Sequence, residues 1–132
     1  MVTTGRDSAL RAYLLVAVGG SIGALARYAV GSLTHGSLGT FMANVSGAFL
    51  LGYISAVGAH RLALSLDMRR CISVGMLGSY TTFSALSYDT LRMIQNGNIA
   101  GAAANGLGSM LAGLLAVAAG VWLARRQGCT EH

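Results

Sequence analysis

Charge is scarce in this sequence. Only 10% of its 132 residues are charged, none of them lysine, and the acids number four, while 54% of the chain is hydrophobic. A soluble domain of this length cannot hide so much apolar surface, which excludes an ordinary globular fold and leaves a membrane protein. The acids Asp7, Asp67, Asp89 and Glu131 read as lying at ends or in loops, so no carboxylate is expected inside the membrane. That argues against small four-span multidrug transporters, whose proton-coupled export of cations needs a membrane-embedded acid. Without lysine there is no G-x-x-x-x-G-K-[ST] phosphate cradle, and so no ATP-driven pump. Histidine is peripheral as well, at positions 35, 60 and 132. General acid–base catalysis, a metal cluster and an activated nucleophile are therefore unsupported, and the chain is not expected to be an enzyme. The two cysteines, Cys71 and Cys129, are far apart and read as free thiols, with no disulfide framework or metal site.

What is present fits four hydrophobic spans in a single domain covering residues 1–132, and an all-α integral membrane fold. Mean hydropathy is +0.60. Residues 1–11 are polar and read as a short tail, and no convincing cleavage site marks a signal peptide. The spans are expected at roughly 12–33, 39–59, 71–94 and 99–124. In the first, Gly19, Gly20 and Gly23 give the small-residue spacing that lets another helix approach closely. Arg27, near its end, is either a snorkelling residue at the interface or an attractor of anions. In the second, Asn44 places an amide mid-span that must find partners in protein or water, as a structural interhelical bond or a ligand group. The connection 60–70 is the most charged part of the chain and reads as an extramembrane loop.

The third span is anomalous. Between Cys71 and Tyr88 it is uncharged, yet Gly75, Gly78, Ser79, Tyr80, Thr81, Thr82 and Ser84 crowd its middle. Glycine lowers helix propensity by roughly 1 kcal/mol relative to alanine, and two β-branched hydroxyl residues follow, so a local break is expected. Broken helices present backbone groups to a cavity. In the fourth span Asn105, Ser109 and Gly113 recur every four residues on one helical face, either a polar track or a close-packing seam. Neutral donors without titratable acids suit an anion, and Phe83 is able to meet a small anion with the positive edge of its ring. Four short spans enclose little pore, so a dimer is the minimum assembly. Net charge is +5, but the arginines flank apolar runs and read as topology signals and lipid contacts, not as a nucleic-acid stripe.

These residues resemble the fluoride channels also called Fluc or CrcB. The matches are Gly19-Gly20-Ser21-Ile22-Gly23-Ala24-Leu25-Ala26-Arg27-Tyr28, then Gly39-Thr40 through Asn44 and Gly47 to Gly52, then Gly78-Ser79-Tyr80-Thr81-Thr82-Phe83-Ser84. They stand in the family's order and, with the four spans, cover nearly the whole chain. The resemblance implies an antiparallel dimer in the inner membrane, with two pathways along the subunit interfaces passing fluoride down its gradient. It implies that Asn44 helps coordinate fluoride and that Phe83 lines the path. Thr82 or Ser84 would join Asn105 and Ser109 in a hydroxyl track, and Arg27 matches the family's first-span arginine. A buried structural sodium ion would be held by the backbone carbonyls of Gly78 and Thr81 from each subunit. The class-level alternative is a non-conducting membrane scaffold or assembly subunit in which Asn44 and the hydroxyls only join helices.

Two departures stand out. Where the family reads Thr-Thr-Phe-Ser-Thr-Phe-Ser, this chain has Ala85 for the third threonine and Leu86 for the second phenylalanine. Charge is also lopsided. Arginines 6, 11, 61, 69, 70, 125 and 126 fall on the side of the termini, against 27 and 92 on the other. By the positive-inside rule this implies cytoplasmic termini and a fixed orientation, hence a homologous partner inserted the other way.

Overall fold

The computed structural model describes residues 5–34, 36–57 and 64–128. His35, residues 58–63 with His60 and Arg61, and residues 129–132 with Cys129, Glu131 and His132 lie outside the described residues, as do the readings placed on them. The described chain is all helical: α1 (Gly5–Leu33), α2 (Ser37–Val57), α3 (Leu66–Arg70), a π-helical stretch (Cys71–Leu77), α4 (Gly78–Tyr80), α5 (Phe83–Gln95) and α6 (Ile99–Gly128).

Among the described residues, three helices are long and apolar enough to cross a membrane: Asp7–Leu33, Ser37–Val57 and Ile99–Gln127. The region expected to hold the third span, 71–94, is built from the shorter helical pieces between Leu66 and Gln95. The polar N-terminal residues expected to form a tail are already helical from Gly5 onward. Likewise the second half of the charged connection is not a loop. Ser65 caps α3, its Oγ accepting the Met68 amide at 3.2 Å, and the helix then feeds straight into the π-helical stretch. Asp67 at the start of α3 faces Arg11 of α1 at 3.5 Å, which ties the two elements at one end. At the other end, Gly36 and Gly97 take the left-handed conformation, φ 67° and 76°, that closes the α1–α2 and α5–α6 turns.

Packing follows the small residues. Side chains added at Gly19 and Gly23 of α1 would fall onto the carbonyls of Cys71 and Met76, and one added at Gly75 would meet the Val16 carbonyl. These glycines therefore bring α1 and the π-helical stretch nearly backbone to backbone. A second seam joins α2 to α6, where Gly52 faces the Val117 carbonyl and Gly120 the Phe49 carbonyl. Outward, Leu14, Leu25, Leu114 and Leu115 are exposed, and among the described residues no large side chain is fully buried. A water-soluble monomer rarely shows so much apolar surface, whereas lipid and a second subunit both cover it.

Candidate functional site

The chain has no proline, so the interruption between α4 and α5 is not a missing-donor kink. It is made by side-chain hydrogen bonds. After α4, Thr81 (φ −80°, ψ 149°) and Thr82 (φ −149°, ψ 118°) are extended, and helix resumes at Phe83. Asn44 of α2 grips that extended peptide from both sides. Its Nδ2 donates to the Thr82 carbonyl at 3.0 Å, and its Oδ1 accepts the Thr82 amide at 2.7 Å. Thr82 in turn caps α5, its Oγ1 accepting the Ala85 amide at 3.2 Å.

These bonds have a consequence for the carbonyls. A continuous helix would send the Thr82 amide to the Gly78 carbonyl and the Ala85 amide to the Thr81 carbonyl. Both amides are diverted to side chains, and no other backbone amide among the described residues takes their place. The two carbonyls are thus released together. Of the two expected contributors to the break, the glycines and the threonines, it is the threonines that stand at it. Gly78 is helical, with φ −63° and ψ −32°, and Gly75 serves the seam with α1, so the glycines pack the helix and the threonines interrupt it.

Around this clamp the other sequence-selected residues fall into two groups. The Thr82 and Ser84 hydroxyls lie 3.1 Å apart. Phe83, 77% exposed, borders two hollows. One, of about 300 Å³, is lined by Asn44, Thr81, Thr82 and Val117 as well. The other, of about 340 Å³, is lined by Leu86, Thr90, Gly106 and Met110 among others. Farther along, Asn105 donates from Nδ2 to the Thr90 hydroxyl at 2.9 Å, and that hydroxyl donates to the Leu86 carbonyl at 2.8 Å. Ser109 is buried, and its Oγ has no hydrogen-bond partner among the described residues. Arg27 stands apart: no hydrogen bond or ion pair links it to Asn44, Thr82 or any other described residue.

Two participants escaped the sequence reading. Thr40 donates to the Asp89 carboxylate at 2.8 Å, and Thr90 holds Asn105. Asp89 therefore lies within α5, bonded to α2, and not at a helix end as expected. A signal for Thr40 existed, since it stands four residues before Asn44 and so shares its helical face. For Thr90 there was none, because its role depends on how α5 meets α6.

The family model for CrcB-like protein, Camphor Resistance (CrcB), matches residues 14–121, a stretch that contains every residue of this cluster. The chain belongs to the CrcB family. Among its relatives, a protein of Methylococcus capsulatus named fluoride-specific ion channel FluC is 44% identical over 84% of this chain and 51% of its own length. Proteins of the same name from Thermus thermophilus and Acidobacterium capsulatum are 44% and 45% identical, covering 77% and 86% of this chain and 86% and 96% of theirs. The chain thus spans about half the length of the Methylococcus relative and most of the other two. In this CrcB-family chain, the motif Gly78–Ser84 is where helix gives way to the Asn44-held peptide.

Proposed function

We propose that the chain is a subunit of a passive fluoride channel, with Asn44, Thr82, Phe83, Ser84, Asn105 and Ser109 along the ion's path and Arg27 attracting anions toward it. The observation that carries this reading is the Asn44–Thr82 clamp. It sets an amide, two hydroxyls and an exposed phenyl ring side by side with no acid in the group, in a family whose relatives bear the fluoride-channel name. A small anion gives up tightly held water only where several donors replace it along a narrow path. An aromatic edge adds to them without attracting cations. No coupling site is needed for export, because an inside-negative potential favours outward movement of a monovalent anion by about 2.3 kcal/mol per 100 mV.

The active unit is an antiparallel dimer in the inner membrane, with cytoplasmic termini in this subunit. An exposed Phe83 and an unpartnered Ser109 hydroxyl support a second subunit that completes each path. The seven-to-two arginine asymmetry supports a homologous partner of opposite orientation over a self-pair. Relatives in Nitrobacter hamburgensis and Staphylococcus haemolyticus carry the numbered name FluC 2, in keeping with more than one such protein in an organism.

A structural sodium ion fits the backbone. The carbonyls of Gly78 and Thr81 have lost their helical donors, and hard oxygens without charge suit a monovalent cation; Gly78 is exposed, with room beside it for a second chain. Two carbonyls from each subunit would hold the ion and join the two breaks at the dimer centre.

Efflux from liposomes tests the reading. Purified chain co-expressed with a homologous subunit is expected to pass fluoride and exclude chloride, and the chain alone to pass little of either. Full rescue of a fluoride-sensitive strain by this chain alone would remove the paired-subunit idea. Absence of flux from both preparations would leave the non-conducting scaffold.

A further inference from the structure

The cytoplasmic end of α6 carries a feature that ion conduction does not use. Arg126 lies over the ring of Trp122, its Cζ 4.0 Å from the centroid. Both are exposed, Trp122 by 54%, and Arg125 beside them is exposed too. Stacking occupies the flat face of a guanidinium and leaves its rim of N–H donors free, the geometry that binds a phosphate oxygen pair. Trp122 and Arg126 are one helical turn apart, and Arg125 is three residues from the ring, so all three lie on one side of the helix.

That side continues up the helix as an apolar stripe. Leu111, Leu115 and Ala118 precede Trp122 at intervals of three and four residues, and all are exposed. At 3.6 residues per turn the stripe lies roughly opposite Asn105, Ser109 and Gly120, the face turned to α5 and α2. It therefore points away from the clamp. At this end Asp7 and Asp67 line one hollow together with Arg11, and Asp67 is engaged by Arg11 and Arg70 of other helices.

We infer that Arg125, Arg126 and Trp122 form a headgroup site for an anionic phospholipid whose chains run along Leu115 and Leu111. The stripe selects lipid over free phosphate, since inorganic phosphate gains nothing from an apolar groove. The arginines select an anionic over a zwitterionic headgroup, whose ammonium they repel. Each arginine near an anionic surface contributes roughly five-fold in affinity.

Trp122 is the single tryptophan of the chain, so its fluorescence reads this site alone. The intact protein in mixed micelles is titrated with brominated phosphatidylglycerol or brominated phosphatidylcholine. Half-quenching is expected at an about ten-fold lower mole fraction of the anionic lipid. Arg125→Gln with Arg126→Gln should bring the two curves together, while Arg92→Gln, at the opposite end, should leave the preference intact. Arg126→Lys, which keeps the charge and loses the planar fork, should fall between, and it serves if the double variant does not fold. Equal quenching of the unaltered protein by both lipids overturns the proposal. So does loss of the preference in Arg92→Gln, which would mark a general charge effect, or displacement of the lipid by millimolar inorganic phosphate.

Discussion

Asn44 binds the peptide of Thr82 through both of its amide atoms, at 3.0 and 2.7 Å, and so stands in for the helical partners that this peptide lacks. In lipid such a substitute is needed, because no water reaches an unpaired amide. Asn44→Ala leaves a donor and an acceptor open, at about 1–3 kcal/mol for each unsatisfied group. Asn44→Asp keeps an acceptor for the amide but sets a carboxylate oxygen against the Thr82 carbonyl. Both variants are expected to unfold at lower temperature in detergent and to lose fluoride flux in liposomes. A variant with full stability and flux would mean that the clamp is dispensable.

The seam between α1 and the π-helical stretch predicts a sharp contrast between two glycines of one helix. An alanine methyl at Gly23 would collide with the Met76 carbonyl, which is backbone and cannot rotate away, whereas around Gly31 nothing lies within 4 Å. Gly23→Ala is expected to cost about 3 kcal/mol or more, as severe overpacking does. Gly31→Ala should be neutral or gain up to about 1 kcal/mol of helix propensity. Monodisperse yield on size exclusion and the unfolding midpoint in detergent measure both. Equal behaviour of the two would refute the seam.

Much of this was legible in the residues themselves, and the failures share one cause. The three long apolar helices, the close approach at Gly19 and Gly23, and the need of Asn44 for a partner follow from hydrophobic runs and from the cost of polar groups in lipid. Gly75 and Gly78 misled because glycine signals two things, a weak helix and a thin one. Only the neighbour's backbone decides which applies, and α1 lies close enough to decide for thinness at Gly75. The π-helical turn left no mark at all in a stretch of ordinary apolar composition. Asp89 was placed at an end because charge was used to mark the boundary, yet α5 runs on past it to Gln95 with its carboxylate bonded to Thr40.

Phe83 and Leu86 are three residues apart on α5 and differ in what surrounds them. Phe83 is 77% exposed and Leu86 only 7%. Phe83→Ile is therefore expected to leave the fold intact while lowering fluoride flux by at least about ten-fold, a loss of roughly 1.4 kcal/mol in transition-state stabilisation. Leu86→Phe returns the family's ring to a buried position beside the 340 Å³ hollow. That space takes up part of the added volume, so the cost should stay near the lower end of overpacking, about 1 kcal/mol. Flux should rise, since an aromatic edge now lines the path. Paired flux and unfolding measurements on both variants check this. A fall in flux for Leu86→Phe at unchanged stability would show that the leucine is itself the adapted residue.

Sodium dependence follows from the same clamp. If the Gly78 and Thr81 carbonyls hold the ion, sodium binds the folded dimer and not the unfolded chain, and stability rises with RT ln(1 + [Na⁺]/Kd). A hundred-fold excess over Kd would add about 2.7 kcal/mol. The unfolding midpoint should thus climb by several degrees and saturate as sodium replaces choline at constant ionic strength. Removing the ion should reverse the gain. Asn44→Ala leaves the Thr82 peptide unheld, so the neighbouring Gly78 and Thr81 carbonyls are no longer fixed in place as ligands. The variant should accordingly lose its response to sodium as well as its stability. A midpoint equal in sodium and choline, or a sodium response undiminished in Asn44→Ala, would place the ion elsewhere or nowhere.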